Sequence, residues 1–145
     1  MNLTRFTDYS LRVLLYLALR PNQRISISEI TEFYGVSKDH LVKVVNKLGA
    51  LGYIQTTRGR NGGIELAKPL NQITVGEVAR QMEPHFHLVE CFEPQKNHCT
   101  VTSVCHLKFI LAEALEAFLS VLDRYTMENL VVDQDLAKNL LQIDD

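Results

Sequence analysis

Tryptophan is absent from this chain of 145 residues, proline occurs four times and cysteine three times. Low proline, with 46% hydrophobic residues, leaves no room for a collagen, a fibre or a largely disordered chain. No apolar run approaches the roughly 20 residues that a membrane-spanning helix needs. The opening Met1-Asn2-Leu3-Thr4-Arg5-Phe6 lacks the basic-then-apolar layout of a secretory signal, so a soluble cytoplasmic protein is expected. An odd cysteine count excludes a pure disulfide framework, and neither a redox Cys-x-x-Cys nor a tight zinc knuckle is present. An excess of charge of one sign is missing as well, the net charge being −2.

That near-neutrality is a cancellation. Residues 1–70 hold ten Lys/Arg against five Asp/Glu, a surplus of +5, whereas residues 71–145 hold five against twelve, a deficit of −7. A basic half beside an acidic half points to a polyanion partner for the first. The cysteines are equally uneven, since all three fall between residues 91 and 105.

Hydrophobic spacing organises the rest. Leu3 to Arg20 is apolar enough for a largely buried helix, ended by Pro21-Asn22. Ser26 followed by Glu29 has the spacing of a capping box and opens a helix carrying Ile27, Ile30 and Phe33, stopped at Tyr34-Gly35. Lys38 to Leu51 places Leu41, Val44, Val45, Leu48 and Leu51 on one stripe, with Lys38, Asp39, His40, Lys43, Asn46 and Lys47 mostly off it. Helix, short glycine-containing turn, helix is the helix-turn-helix order, although any two core helices share it. The next segment decides between them. Tyr53–Thr57 and Ile64–Ala67 read as two strands around Arg58-Gly59-Arg60-Asn61-Gly62-Gly63, the hairpin wing of a winged helix. A mobile basic loop or an anion-holding nest is the plainer reading of that tip. A nucleotide-binding loop fits poorly, because the turn closes a hairpin instead of opening a helix.

Thr74 and Glu77 repeat the capping-box spacing for a helix through Met82 that Pro84 stops. Residues 84–105 then read as irregular, with His85, His87 and His98 inside and His106 at the edge. From about Ser103 to Tyr125 a helix carries Leu107, Leu111, Ala114, Phe118, Val121 and Tyr125 at heptad spacing, flanked by Ile110, Leu115 and Leu122. Such a seam needs a partner, either the first helix or the same helix of a second subunit. A symmetric dimer is favoured, since it presents two reading helices to a palindromic site. Thr126 is expected to cap a short helix Met127–Val132, and beyond Asp133 the acidic tail is expected to be poorly ordered.

The expected fold is therefore mainly α with a small β-hairpin: a winged helix-turn-helix region with its N-terminal helix (1–83), a cluster-binding loop (84–106), a dimerisation helix and short C-terminal helix (103–132) and an acidic tail (133–145). The spacing Cys91-x7-Cys99-x5-Cys105 is compatible with an iron–sulfur cluster if a fourth ligand is found, with zinc, with a thiol switch or with unligated cysteines. Fourth donors within reach in sequence are His85, His87, His98, His106, Glu90 and Glu93. An enzyme would need paired acids or a nucleophile–base pair. His98-Cys99 and Cys105-His106 are the only candidates, and adjacency in sequence does not turn side chains toward each other, so no enzyme is expected.

Taken together, Leu3-Thr4, Phe6-Thr7-Asp8-Tyr9, the stretch Ile30 to Gly35, the run Val36-Ser37-Lys38-Asp39-His40-Leu41-Val42-Lys43-Val44-Val45-Asn46, the wing Arg58–Gly63 and the three-cysteine loop resemble the nitric-oxide-sensing repressors of the winged-helix family that also contains IscR. The likeness spans Leu3 to about Val132. It implies a homodimeric repressor with a 4Fe–4S cluster in each subunit, a 2Fe–2S cluster being the alternative. Cys91, Cys99 and Cys105 would be ligands, with the fourth, Asp8, coming from the partner subunit, and nitric oxide would be the signal. IscR-like members instead place a histidine three residues after the third cysteine, where this chain has Lys108. The seven-residue gap between Cys91 and Cys99 is longer than the family pattern suggests. Double-stranded DNA would meet Ser37, Lys38, His40 and Lys43 of the reading helix and Arg58 and Arg60 of the wing, with Asp39 capping. A thiol-redox or zinc-dependent winged-helix regulator, and an IscR-like regulator of cluster biogenesis, are the alternatives.

Overall fold

The computed structural model describes residues 2–131 and 133–140. Its first helix, α1 (Arg5–Ala18), starts two residues later than the apolar run, because Thr4 acts as its cap and accepts from the Thr7 amide. Two short helices follow, α2 (Ile27–Tyr34) and α3 (Lys38–Ala50), separated by Gly35 at φ 63°. That left-handed turn costs glycine nothing and would strain other residues. Val13, Leu14 and Leu17 of α1, Ile30 of α2, and Leu41, Val44, Val45 and Leu48 of α3 form the buried centre. Each such side chain contributes about 1.5–3 kcal/mol by leaving water.

The hairpin consists of β1 (Ile54–Thr57) and β2 (Gly63–Leu66), antiparallel, with Ile54 opposite Leu66 and Thr57 opposite Gly63. Ile25 adds a third rung by exchanging both backbone hydrogen bonds with Ile64, at 3.0 and 2.8 Å. Two glycines of the tip, Gly62 and Gly63, are called for by close backbone approaches within the fold. A Cβ on Gly62 would lie 2.4 Å from the Thr57 carbonyl oxygen, and one on Gly63 would lie 2.9 Å from that of Ile25. Gly62→Ala should therefore lower stability by about 1–3 kcal/mol, read as a lower urea midpoint at unchanged slope.

Helix α4 (Val75–Met82) packs on α1, and α5 (His106–Asp123) packs on α4 through Leu115 and Leu119. The start of α4 and the end of α5 are pinned together, the Val75 amide donating to the Tyr125 carbonyl at 2.9 Å. Between these helices residues 84–105 are less irregular than the sequence suggests, since they hold three short 3-10 turns at Glu90–Phe92, Pro94–Lys96 and Thr102–Val104.

Two expectations near the C-terminus are corrected. Thr126 does cap, through a reciprocal box with Asn129, but the element is a 3-10 turn over Met127–Leu130. The acidic tail is not wholly irregular: Gln134–Leu140 forms a helix, α6. Val132 and residues 141–145 lie outside the described residues.

Candidate nucleic-acid interface and cysteine loop

The reading helix presents the side chains that its stripe leaves over. Lys38, His40 and Lys43 are exposed on α3, as is Ser37 at its start, where the Ser37 hydroxyl makes no capping hydrogen bond. The first amides of α3 thus receive no cap from that side chain and remain suited to a phosphate. Asp39 sits in the first turn, where its charge suits the helix dipole. Arg58 and Arg60 are exposed at the wing.

Charge pairing separates these cations from three arginines of the basic half. Arg12 pairs with Asp8, Arg20 with Glu29 and Arg24 with Glu65. None of the ion pairs among the described residues involves Lys38, His40, Lys43, Arg58 or Arg60. Most of the cations of residues 1–70 that are in no ion pair among the described residues therefore lie on α3 and the wing, with Arg5 and Lys68 elsewhere. Glu29 does not complete its capping box. Ser26 accepts from the Glu29 amide, but the Glu29 carboxylate accepts from the Tyr16 hydroxyl at 2.9 Å and from Arg20. Burial and that hydrogen bond push the Tyr16 hydroxyl up to about 12.

The cysteine loop starts at a residue that sequence reading missed. Glu83, the last residue before Pro84, is 9% exposed, and its carboxylate accepts from both the amide and the hydroxyl (3.0 Å) of Thr4. The root of the loop is thereby tied to the first turn of α1. The signal that could have shown it was an acidic residue held immediately before a helix-stopping proline.

Within the loop, four of the six alternative donors, His85, His87, Glu90 and Glu93, already have partners. His85 and His87 stack with ring centroids 4.6 Å apart. His87 Nδ1 lies 3.6 Å from Glu93, and Lys96 pairs with Glu93 at 2.8 Å, a hydrogen bond that holds the Glu93 carboxyl below its usual range. Glu90 accepts from the His98 amide. Cys91 and Cys105 are half-buried, Cys99 is exposed, and all three are free thiols. Among the described residues no three His, Cys, Asp or Glu side chains are gathered as a metal site. The donor set nonetheless fits an iron–sulfur group, since three unpaired thiols on one loop supply three soft ligands.

Asp8 lies on α1 with its side chain 43% exposed. Its carboxylate takes a two-pronged pair with Arg12, both contacts at 2.9 Å, which raises the Arg12 pKa. The Arg12 guanidinium in turn lies over the rings of Tyr9 and Tyr34 at 5.9 and 5.6 Å.

Comparison with known proteins fits this arrangement. The family model for Rrf2, described as an iron-dependent transcriptional regulator, matches residues 3–133. The chain belongs to the Rrf2 family. Among its relatives in that family, the HTH-type transcriptional regulator NsrR of Bacillus licheniformis is 50% identical over 142 residues, covering 97% of this chain and 99% of the relative. That of Bacillus subtilis is 49% identical over 144 residues, 99% of each. Oxidised Staphylococcus aureus CymR superimposes with a TM-score of 0.72 at 26% identity, over 91% of this chain and 97% of that one. T. potens IscR, at 23% identity, shares the fold with a TM-score of 0.72, over 95% and 91%. This Rrf2-family chain is a DNA-binding transcriptional regulator with a winged-helix fold, and not an enzyme. No helix among the described residues is long and apolar enough to cross a membrane.

Proposed function

We propose that the chain is a dimeric repressor whose operator binding is gated by an iron–sulfur cluster that responds to nitric oxide. The observation that carries this is the route from the cysteine loop to the reading helix. Glu83 ties the loop root to Thr4, Thr4 caps α1, and α1 packs on α3. The high identity to regulators named NsrR and the family's iron dependence support it.

Cys91, Cys99 and Cys105 would hold the cluster, with Asp8 of the opposite subunit as fourth ligand. When bound, the cluster would supply iron able to react with nitric oxide, and a carboxylate from Asp8 would be its hardest and most easily displaced ligand among soft thiolates. On this chain Arg12 competes for the same carboxylate. Asp8 thus has two partners, and its choice biases how the winged-helix units sit relative to each other, as a two-state switch requires. Exposed Lys38, His40, Lys43, Arg58 and Arg60, with Ser37, would meet DNA.

Dimerisation would use the uncovered face of α5. Leu115 and Leu122, read as flanks, turn toward the chain's own core, and α4 is the chief neighbour of α5. Leu107, Val121 and Tyr125 remain 59%, 42% and 51% exposed along the heptad seam, with Ala114 also exposed, Leu111 and Phe118 half-covered, and the flanking Ile110 60% exposed. Replacing Leu107 and Val121 together by Glu should yield a folded monomer in sedimentation velocity, because neither side chain belongs to the internal core.

Anaerobic purification tests the whole reading. The expected product is brown, with iron and sulfide at about four each per subunit, and releases its operator after nitric oxide. A colourless zinc protein, or equal operator affinity in the loaded, stripped and nitrosylated forms, would overturn it.

A further inference from the structure

A second cleft, of about 320 Å³, runs between the first turns of α1 and the exposed side of α3. Thr4, Arg5, Phe6 and Tyr9 line it from α1, and His40 and Lys43 from α3. Arg5 is exposed and belongs to no ion pair among the described residues. We propose that this cleft is a sugar–phosphate contact of the DNA interface, with Arg5 as a phosphate-binding residue alongside Lys43.

The chemistry of the lining carries the proposal. No carboxylate lines the cleft, so the Arg5 guanidinium and the Lys43 ammonium face a common space without a counter-charge. Of the carboxylates beside the start of α1, Asp8 is paired with Arg12 and Glu83 accepts from Thr4, while Asp39, in the first turn of α3, is not among the residues lining the cleft. As the first residue of α1, Arg5 also places its charge where it opposes the helix dipole, an arrangement that folding does not call for. An anion entering the cleft relieves both conflicts. Phe6 and Tyr9 give the cleft apolar ring surface, and Lys47 Nζ, 5.4 Å from the Phe6 ring centre, extends the basic rim. Alternating charge and apolar surface suits a nucleic-acid backbone, where phosphates alternate with deoxyriboses. The position suits it too. A strand read by the exposed side of α3 carries its backbone past the flank of that helix, where Arg5 and Lys43 stand, and guanidinium binds phosphate through paired N–H donors.

The inference rests on the DNA-binding role of the chain, and the test keeps the two apart. Anaerobically purified wild type, Arg5→Ala and Arg5→Lys would be titrated over a salt series against two duplexes. One is an operator selected by the wild-type protein from a random-sequence pool, the other an unrelated duplex of equal length. Arg5→Ala should weaken both by the same factor and flatten the log–log salt slope by about 0.9 for each subunit bound. Arg5→Lys should restore the slope. Unchanged affinity and slope in Arg5→Ala, or a loss confined to the operator, would overturn the phosphate assignment while wild-type binding stands. Failure of the wild type to bind either duplex would overturn the DNA-binding role itself, and this inference with it.

Discussion

Cys99→Ser will lose iron and release the operator while keeping its fold. Cys99 is exposed, and its described hydrogen bonds are made by the backbone: its amide donates to Asn97 Oδ1 at 3.1 Å, and its carbonyl accepts from Thr102 Oγ1 at 2.8 Å and from the Thr102 amide at 3.4 Å. Serine keeps all three bonds and nearly the same volume, so the melting temperature of the metal-free variant should equal that of metal-free wild type. What serine removes is a soft ligand, and a hydroxyl does not replace thiolate toward iron and sulfide. Operator affinity should fall to the level of unrelated DNA, a loss of at least about 10³-fold. Wild-type iron content in Cys99→Ser would sink the ligand assignment, and full operator affinity without iron would sink the gating. Asp8→Ala should behave differently. Three thiolates remain, so iron is incorporated but lost faster in air, and Arg12 is freed of its partner. Loss of iron as fast in wild type as in Asp8→Ala would remove Asp8 from the ligand set.

The parts of this fold that local spacing encodes were legible. The stripe Leu41, Val44, Val45 and Leu48 needs only a helical period to be read, and all four residues are buried in α3. Arg58–Gly63 between two β-prone runs reads as a hairpin tip, and the strands pair there. What stayed hidden depends on residues far apart in sequence. Gly63 is required because Ile25 passes beside it, 38 positions earlier in the numbering. Glu29 has the spacing of a capping box, but Tyr16 and Arg20 from α1 take its carboxylate. The heptad on α5 is visible as a period, whereas which flank it turns inward follows from where α4 lies. In the candidate site the exposed cations could be named from the off-stripe positions of α3. That they lack carboxylate partners, while Arg12, Arg20 and Arg24 have them, emerges only from the fold. The three thiols were visible by composition. The pairing of Asp8 with Arg12, and the engagement of Glu90 and Glu93 inside the loop, were not.

Glu83→Leu should both destabilise the protein and weaken the dependence of DNA binding on iron. Glu83 and Thr4 are 79 positions apart, yet one nearly buried carboxylate oxygen takes the Thr4 amide and hydroxyl together. Leucine leaves two donors at the start of α1 without that acceptor, which costs about 1–3 kcal/mol. For a chain of this size each kcal/mol lowers the melting temperature by about 2–4 °C. Glu83→Gln retains an acceptor oxygen and should recover most of the loss, although it gives up the negative charge that favours a helix start. The functional consequence separates a latch from a simple buried contact. If Thr4 and Glu83 transmit the state of the cysteine loop to α1, and through α1 to α3, then cutting the link should draw the operator affinities of iron-loaded and iron-free protein together. A merely structural pair would lower stability and leave the ratio of those affinities at its wild-type value. Measured in Glu83→Leu and Glu83→Gln side by side, an unchanged ratio in both would place the coupling elsewhere, leaving the cross-subunit Asp8 as its remaining route.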